Sequence, residues 1–267
     1  MSCLPLPLPE SIRALTAGKL CAESRVGLSG SRVFLFDDMV LKTSPRSGEA
    51  DNEAAVCRAL AGLLPVPEIL CYEIADGKAF CLMTRLPGRM LCSDELMRDP
   101  ALVTRLAAEA ISLLQSVPAE RFCGVRLDGK LRWARENTAR GLADTEHADP
   151  ETFGPQGFAG PAALLRWLEE NRPSAERLVL THGDLCLPNI LTDGRHVTGF
   201  VDCGRMGPGD PWQDLAIIQR SLRDNFSGAY RASHRRPDYD PDALLRELGL
   251  EPDRERLRYY LLLDELF

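Results

Sequence analysis

Long apolar runs are missing from this 267-residue sequence, and none approaches the ~20 residues that a membrane-spanning helix needs. The opening stretch "MSCLPLPLPESIRAL" carries three prolines and no basic cluster, so we expect no secretory signal peptide. Internal repeats and low-complexity tracts are also missing. These features predict a cytoplasmic protein without a membrane partner.

Paired cysteine motifs are missing as well. The sequence has nine cysteines and four histidines, but no two cysteines are spaced as C-x-x-C, and most lie in apolar stretches. A disulfide framework or a zinc site is therefore not indicated, and a reducing compartment fits this pattern.

The sequence also lacks an excess of basic over acidic residues. The formal net charge is −7, which argues against nucleic acid as the main partner and favours a cationic small molecule. Hydrophobic residues make up 45% of the chain, an ordinary globular content, and the length suffices for two lobes.

The first part of the chain is rich in predicted strands. "SRVFLF" and "MVLKT" predict one hairpin, and "EILCYEI" and "KAFCLMTRL" predict a second around Asp76-Gly77. Between the hairpins, "EADNEAAVCRALAGL" has helical apolar spacing. "LPG" then resembles a linker, so we expect a nucleotide-binding lobe at 1–86 and a second lobe at 87–267.

The second part of the chain is mostly helical. A strong amphipathic helix begins at Pro100, and helices are also predicted at 131–143, 160–172, 212–224, 241–248 and 253–265. Short strands at 177–180, 190–192 and 196–202 surround the segment "THGDLCLPNI". The predicted class is α+β, with a small β-rich lobe, a larger helical lobe and a ligand cleft between them.

The polar residues of "THGDLCLPNI" are spaced as in a kinase catalytic loop. Asp184 precedes Asn189 by five residues, and Asp202 follows an apolar strand in a "DCG" triplet. "HGD" alone is typical of an ordinary turn, but the full pattern is far more specific. We expect His182 to brace the loop rather than to bind metal.

These residue types suit phosphoryl transfer. Magnesium prefers oxygen ligands and keeps several waters, so Asn189 and Asp202 are candidate ligands. Asp184 is the candidate catalytic base, which would orient the attacking hydroxyl. Lys42 at a strand end and Glu53 in the following helix are candidates for the pair that positions the phosphates, with Glu49 as a rival to Glu53.

Two loops of the first lobe are candidates for nucleotide contacts. "VGLSGSRVF" lacks the complete G-x-G-x-x-G pattern but offers Ser29 and Ser31 as donors to phosphate. "LMTRLPG" predicts a hinge in which the backbone of Thr84 and Leu86 bonds the adenine edge.

The sequence resembles the aminoglycoside 3'-phosphotransferases of the kanamycin and neomycin kinase type. The resemblance is densest in "VLTHGDLCLPNILTDGRHVTGFVDCGRMGPGDPWQDLAIIQR" and in "RLRYYLLLDELF", and it extends loosely over the whole chain. It implies a two-lobed protein-kinase-like fold, ATP and Mg²⁺, and phosphorylation of an aminoglycoside at the 3'-hydroxyl that confers resistance. It also implies the roles given above for Asp184, Asn189, Asp202 and the Lys42–Glu53 pair.

The resemblance further implies a substrate pocket lined by acids. The matching residues are Arg205, Asp149, Glu151, Asp224, Asp264, Glu265 and Phe267, the last through its chain-terminal carboxylate. Relatives often have two acids near 221–225; Ser221 takes one of these places here. Loss of an acid would alter the range of drugs that bind.

Several alternatives stay open at this point. The chain could phosphorylate another aminoglycoside position, another antibiotic or an amino alcohol, and GTP could replace ATP. A nucleotide-binding pseudokinase would be expected to lack Lys42, Asp184 or Asp202, and all three are present. A cysteine hydrolase using Cys186 and His182 lacks an oxyanion motif. We expect a monomer.

Overall fold

The computed structural model describes most of the chain. The described residues are 7–24, 31–119, 122, 124–143, 148–149, 152–153, 156–174 and 177–267. No helix within these ranges is both long enough and apolar enough to cross a bilayer. The seven cysteines in them are free thiols, as predicted.

The first lobe is a five-stranded antiparallel sheet with two helices. Its strands are β1 (Ala22–Ser24), β2 (Arg32–Leu35), β3 (Met39–Pro45), β4 (Ile69–Ala75) and β5 (Lys78–Thr84), in the order β1-β2-β3-β5-β4. Both predicted hairpins are present. Asp76 and Gly77, with φ of 49° and 71°, form the turn of the second hairpin, where two-residue turns favour positive φ.

Helices cover this sheet and connect it to the rest. The sequence did not predict α1 (Glu10–Thr16), which buries Ile12 against Phe34, Leu41 and neighbouring apolar side chains. The predicted helix is α2 (Gly48–Leu60). Ser47 caps its N-terminus, because the Ser47 hydroxyl accepts a hydrogen bond from the Ala50 amide.

The second lobe is mostly helical, with two small sheets. Its helices are α3 (Pro100–Gln115), α4 (Leu127–Ala139), α5 (Pro161–Glu170), α6 (Pro211–Ser227), α7 (Ala243–Glu247) and α8 (Arg254–Asp264). Its strands are β6 (Arg89–Met90), β7 (Val179–Thr181), β8 (Ile190–Thr192), β9 (Val197–Phe200) and β10 (Gly207–Gly209). The three predicted strands do not form one sheet: β8 and β9 pair with β6, whereas β7 pairs with β10.

A large apolar core joins α2 to the second lobe. Val56, Cys57 and Leu60 of α2 belong to the same buried cluster as residues of α3, α6 and α8. Asn52 adds a polar link, since its Nδ2 donates to the carbonyls of Gly204 and Met206 at 2.9 and 3.0 Å. The α2 helix thus fixes the position of the first sheet relative to the loop that contains Asp202. The predicted division at residues 86 and 87 falls between β5 and β6.

Candidate active site

Lys42 lies where the two lobes meet. Side chains alternate along β3, so Leu41 enters the core below α1 while Lys42 lies on the opposite face. Its Nζ is 3.0 Å from Glu53 Oε2 and 2.5 Å from Asp202 Oδ1. Residues far apart in the sequence therefore form one charged cluster.

The opposite charges in this cluster stabilise one another's ionised forms. Burial alone would lower the pKa of Lys42, but the carboxylates of Glu53 and Asp202 raise it above its usual value. Burial opposes ionisation of Asp202 too, yet Lys42 lowers the pKa of that carboxyl. Lys42 is therefore a fixed cation and Asp202 a fixed anion at neutral pH.

Glu53, rather than Glu49, contacts Lys42. Its side chain is buried, and its second oxygen accepts a hydrogen bond from the Cys203 amide at 3.2 Å. Glu49, one turn earlier in α2, lies 3.4 Å from the Nε atom of Arg205. Of the two candidate glutamates, Glu53 is therefore the one that contacts Lys42.

Asp202 has an unusual backbone conformation. Its φ of 60° and ψ of 52° are left-handed, which few residues other than glycine adopt. It ends β9 and begins the 3₁₀ turn Cys203–Arg205. Backbone strain of this kind is concentrated at functional sites.

Asp214, in the first turn of α6, holds the loop before Asp184 in place. Its two carboxylate oxygens accept hydrogen bonds from the amides of His182 and Gly183 at 2.7 and 2.8 Å. Gly183 has φ of 83°, and a Cβ atom there would lie 2.3 Å from the Arg205 carbonyl oxygen. Asp214 lies in the quoted segment that ends in "QDLAIIQR", but no role was predicted for it from the sequence.

His182 braces the loop, as expected. Its Nδ1 accepts from the Asp184 amide at 3.4 Å, and its Nε2 lies 3.0 Å from the Val201 carbonyl oxygen. Burial lowers the pKa of His182 to about 4, so the ring is neutral with its proton on Nε2. Burial also raises the pKa of the Cys186 thiol well above its usual value, which argues against a cysteine hydrolase.

Asp184 and Asn189 form the second half of the site. Asn189 Nδ2 donates to the Asp184 carbonyl at 2.9 Å and to its Oδ2 at 3.1 Å. Burial raises the pKa of Asp184 to about 7; Arg205 opposes this shift, and the charges of Asp264 and Asp202 add to it. A cation bound beside Asp184 would favour its charged form.

The donor set beside Asp184 fits magnesium. The bonds of the Asn189 amide use its nitrogen, which leaves its oxygen for a ligand. Asn189 and Asp202 lie at the same end of the β8–β9 hairpin, where the Val201 amide donates to the Asn189 carbonyl at 3.0 Å. The described residues contain no cluster of three or more His, Cys, Asp or Glu suited to metal. Magnesium with a nucleotide needs only one or two protein carboxylates.

A charged cluster lies at the end of α8. Asp264 pairs with Arg205 at 2.9 Å and with Arg220. The Phe267 ring lies 4.3 Å from the Arg205 guanidinium. Glu265 accepts from the Asp149 amide at 3.3 Å and lies 3.7 Å from Arg220.

The predicted substrate residues are therefore close together but already paired. Arg223 lies 2.8 Å from Asp224 and 4.0 Å from Asp149. Asp149, Glu265, Arg220 and Arg223 line one cavity of about 1070 Å³ between α5, α6 and α8. Arg254 and Arg258 also line this cavity. The lining is therefore of mixed charge, whereas the sequence had predicted an acidic pocket.

Ser221 does not face this cavity. It is buried, and its hydroxyl accepts a hydrogen bond from the Leu187 amide at 3.0 Å. In this chain Ser221 therefore supports the loop between Asp184 and Asn189. Ser29 and Glu151 lie outside the described residues.

The hinge predicted to contact adenine contains Thr84 and Leu86. The Thr84 amide donates to Glu68 O at 2.9 Å. Within the described part of the chain the Leu86 amide has no hydrogen-bond acceptor. Ser31 directly precedes β2 and is half-buried.

Comparison with known proteins places this geometry in a family. The family model described as the phosphotransferase enzyme family matches residues 23–258. The chain belongs to this family. It is 32% identical over 259 residues to an aminoglycoside 3'-phosphotransferase of Enterococcus faecalis, covering 92% of this chain and 93% of that one. It is 34% identical over 258 residues to a streptomycin 3''-kinase of Streptomyces griseus, covering 90% and 89%.

Solved structures of this family have the same fold. An aminoglycoside 3'-phosphotransferase of type VIII superposes with a TM-score of 0.75 at 28% identity, covering 96% of this chain and 98% of that one. The phosphotransferase APH(3'')-Id of Streptomyces rimosus, in complex with ADP and streptomycin, gives 0.74 at 25% identity and covers 96% of both chains. The predicted family, the two-lobed kinase-like α+β fold and the assignment as a kinase are confirmed.

Proposed function

We propose that this phosphotransferase moves the γ-phosphoryl group of ATP to the 3'-hydroxyl of an aminoglycoside antibiotic. The observation that carries the proposal is the setting of Asp184, whose carboxyl contacts the Asn189 amide and is subject to the charges of two clusters, one around Lys42 and one at the end of α8. The charges of Asp202 on the nucleotide side and Asp264 on the drug side both act on its carboxyl. A hydroxyl held at Asp184 would thus lie between a phosphate site and a site for ammonium groups.

The nucleotide is assigned to the cleft between lobes 1–86 and 87–267. Lys42, held by Glu53, is suited to the phosphates, and a related structure contains ADP. We assign the backbone of Thr84 and Leu86 to the adenine edge, and the family resemblance assigns Ser29 and Ser31 to the phosphates. Asn189 and Asp202 would hold Mg²⁺, which neutralises the charge that develops on the phosphates.

The aminoglycoside is assigned to the carboxylates around α8. Asp149, Asp224, Asp264 and Glu265 belong to one connected network with Arg205, Arg220 and Arg223. Each pairing of a drug ammonium with such a carboxylate at ~4 Å contributes about 1 kcal/mol in a water-like medium and more where water is excluded. Glu151 and Phe267 complete the proposed lining, and a monomer suffices for catalysis.

Asp184 is assigned as the base. Its carboxylate accepts a hydrogen bond from the attacking hydroxyl and directs that oxygen toward the γ-phosphorus. Phosphoryl transfer requires little covalent participation from the protein, so positioning and charge neutralisation supply most of the rate.

The 3''-hydroxyl of streptomycin is a second candidate acceptor. The observation in its favour is the 34% identity to a streptomycin 3''-kinase, which slightly exceeds the identity to the E. faecalis 3'-enzyme. Both acceptors use the same nucleotide chemistry and differ only in how the drug is oriented.

Paired drugs distinguish these possibilities. Kanamycin has a 3'-hydroxyl, whereas tobramycin lacks it but carries a similar set of ammonium groups. We expect ADP release with kanamycin, none with tobramycin, and competitive inhibition of the kanamycin reaction by tobramycin. Mass spectrometry of the products, with streptomycin as a third drug, completes the test. Rapid phosphorylation of tobramycin would contradict the 3' assignment, and turnover of streptomycin alone would favour the 3''-hydroxyl.

A further inference from the structure

Lys130 is a buried cation that the proposed mechanism does not use. It lies in α4, and only 1% of the residue is exposed. Its Nζ donates to Gln213 Oε1 at 2.7 Å. Among the residues that the structure describes, no carboxylate lies within salt-bridge distance of this ammonium. Lysine is almost never fully buried unless it is paired, so this position calls for a function.

Gln213 links Lys130 to the catalytic loop. Its Nε2 donates to the Gly183 carbonyl at 3.4 Å. The next residue, Asp214, accepts hydrogen bonds from the backbone amides of His182 and Gly183. These two neighbours on α6 therefore hold the carbonyl and the amide of Gly183, the residue directly before Asp184.

The lysine determines which way the Gln213 amide faces. An ammonium group only donates hydrogen bonds, so it must meet the oxygen of the glutamine amide. The amide nitrogen then necessarily faces the other way, toward Gly183 O. If the amide were reversed, two oxygens would face each other at Gly183 and two donors would face each other at Lys130.

The ammonium also acts on Asp214. Burial raises the pKa of Asp214 to about 6, and the charge of Lys130 opposes that shift. Burial in turn lowers the pKa of Lys130 to about 8, against the attraction of Asp214. The other charged groups that act on Lys130 are Arg205, Glu49 and Asp264.

We propose that Lys130 is a positioning residue for phosphoryl transfer, acting through Gln213 on the Gly183 backbone and so fixing the place of Asp184. The inference rests on the proposed function, because it assigns Lys130 to the loop that carries the proposed base. A purely structural role would instead require only that Lys130 fill its site and support the packing of α4.

Steady-state kinetics separate the two roles. Lys130→Met keeps an unbranched side chain, one atom shorter, but removes the donor. Gln213→Leu removes the hydrogen bonds to Lys130 and Gly183 from the other side. Each variant should lower kcat for kanamycin by about 10- to 100-fold, because small displacements of a reacting group have effects of this size. The KM values for ATP and drug should change by less than about threefold.

The double variant and a matched control test the connection. Lys130→Met with Gln213→Leu should lose no more activity than the worse single variant, since both break one chain of contacts. Ala134→Gly, one turn further along α4, destabilises the same helix without touching that chain. It should lower Tm with little effect on kcat. Lys130→Arg, which keeps the donors, should recover part of the activity.

Amide hydrogen exchange of the 181–189 segment provides a readout that needs no turnover. Lys130→Met and Gln213→Leu should both exchange faster there than the wild type, whereas Ala134→Gly should not. A folded Lys130→Met variant with kcat within threefold of wild type, or with unchanged exchange, would overturn the proposal. If Lys130→Met does not fold, the same criteria apply to Gln213→Leu. Absence of ADP release from the wild type would refute the proposed function, and the exchange data alone would then decide the role of Lys130.

Discussion

Replacing Asp184 by asparagine removes the proposed base with little change in shape. Asn189 Nδ2 donates to both the carbonyl and the Oδ2 atom of Asp184. An asparagine at position 184 can present its amide oxygen to the same donor, so the loop keeps its hydrogen bonds. The hydrogen bond from the Asp184 backbone amide to His182 Nδ1 does not involve the Asp184 side chain, so it is also retained. We therefore expect a folded protein that still binds ATP.

The size of the effect follows from the role. Removal of a positioned general base typically slows a reaction by ~10²–10⁴-fold, which corresponds to about 2.7–5.4 kcal/mol of transition-state stabilisation. The loss should appear in kcat, because the proposed base needs to contact only the reacting hydroxyl. The ATP dissociation constant should stay within about threefold of wild type.

ADP release with kanamycin measures the rate, and calorimetric titration measures ATP affinity. Asp193→Asn is the matched control, since Asp193 is an exposed carboxylate in the turn after β8 and asparagine suits the same turn bonds. The control should keep its activity. An Asp184→Asn enzyme with more than a third of wild-type turnover would refute the role of Asp184 as base.

Three further outcomes test the metal, the drug site and the loop. Asp202→Ala should abolish the effect of Mg²⁺ on ATP affinity in calorimetric titrations; a persisting effect would assign the metal elsewhere. Glu265→Gln should raise KM for kanamycin several-fold more than KM for ATP, whereas Glu255→Gln, exposed in the first turn of α8, should change neither; equal rises would indicate general destabilisation. The native state disfavours protonation of His182, so this residue contributes stability at neutral pH that is lost as pH falls from about 6.5 to about 4. The loss amounts to at most ~3.4 kcal/mol and should be smaller in His182→Gln; urea unfolding at several pH values in that window measures it, and an unchanged pH dependence in the variant would contradict the assignment.

Local patterns predicted the first lobe well. The turn at Asp76-Gly77 and the alternation along β3 are short-range features, so they are legible in the sequence. The contact between Lys42 and Glu53 was also predicted, because the kinase-like loop motif requires such a pair and Glu53 lies deeper in its helix than Glu49. The α1 helix was not predicted, because it is short and its one fully buried apolar side chain, Ile12, gives no helical periodicity of apolar residues.

Long-range pairing explains most of what the sequence analysis missed. β10 consists of Gly207, Pro208 and Gly209, residues with low strand propensity, and it forms only because β7 pairs with it. The burial of Lys130 was equally hidden, since a lysine in a polar helix normally indicates a solvated face. The contact of Ser221 with the Leu187 amide was also not predicted, because the sequence does not show which face of α6 this residue occupies.

The α6 helix determines the geometry on both sides of Asp184. Its first turn holds the Gly183 backbone through Asp214, and Ser221, about two turns later, holds the Leu187 amide. Between those two contacts the loop has little freedom to shift along the helix. Arg220, beside Ser221, pairs with Asp264 of the proposed drug site. The spacing between the proposed base and the proposed drug carboxylates is therefore set by the α6 helix rather than by the loop itself. Substitutions in the exposed lining, such as at Asp149, can then alter which drug binds while the position of Asp184 relative to the nucleotide is preserved.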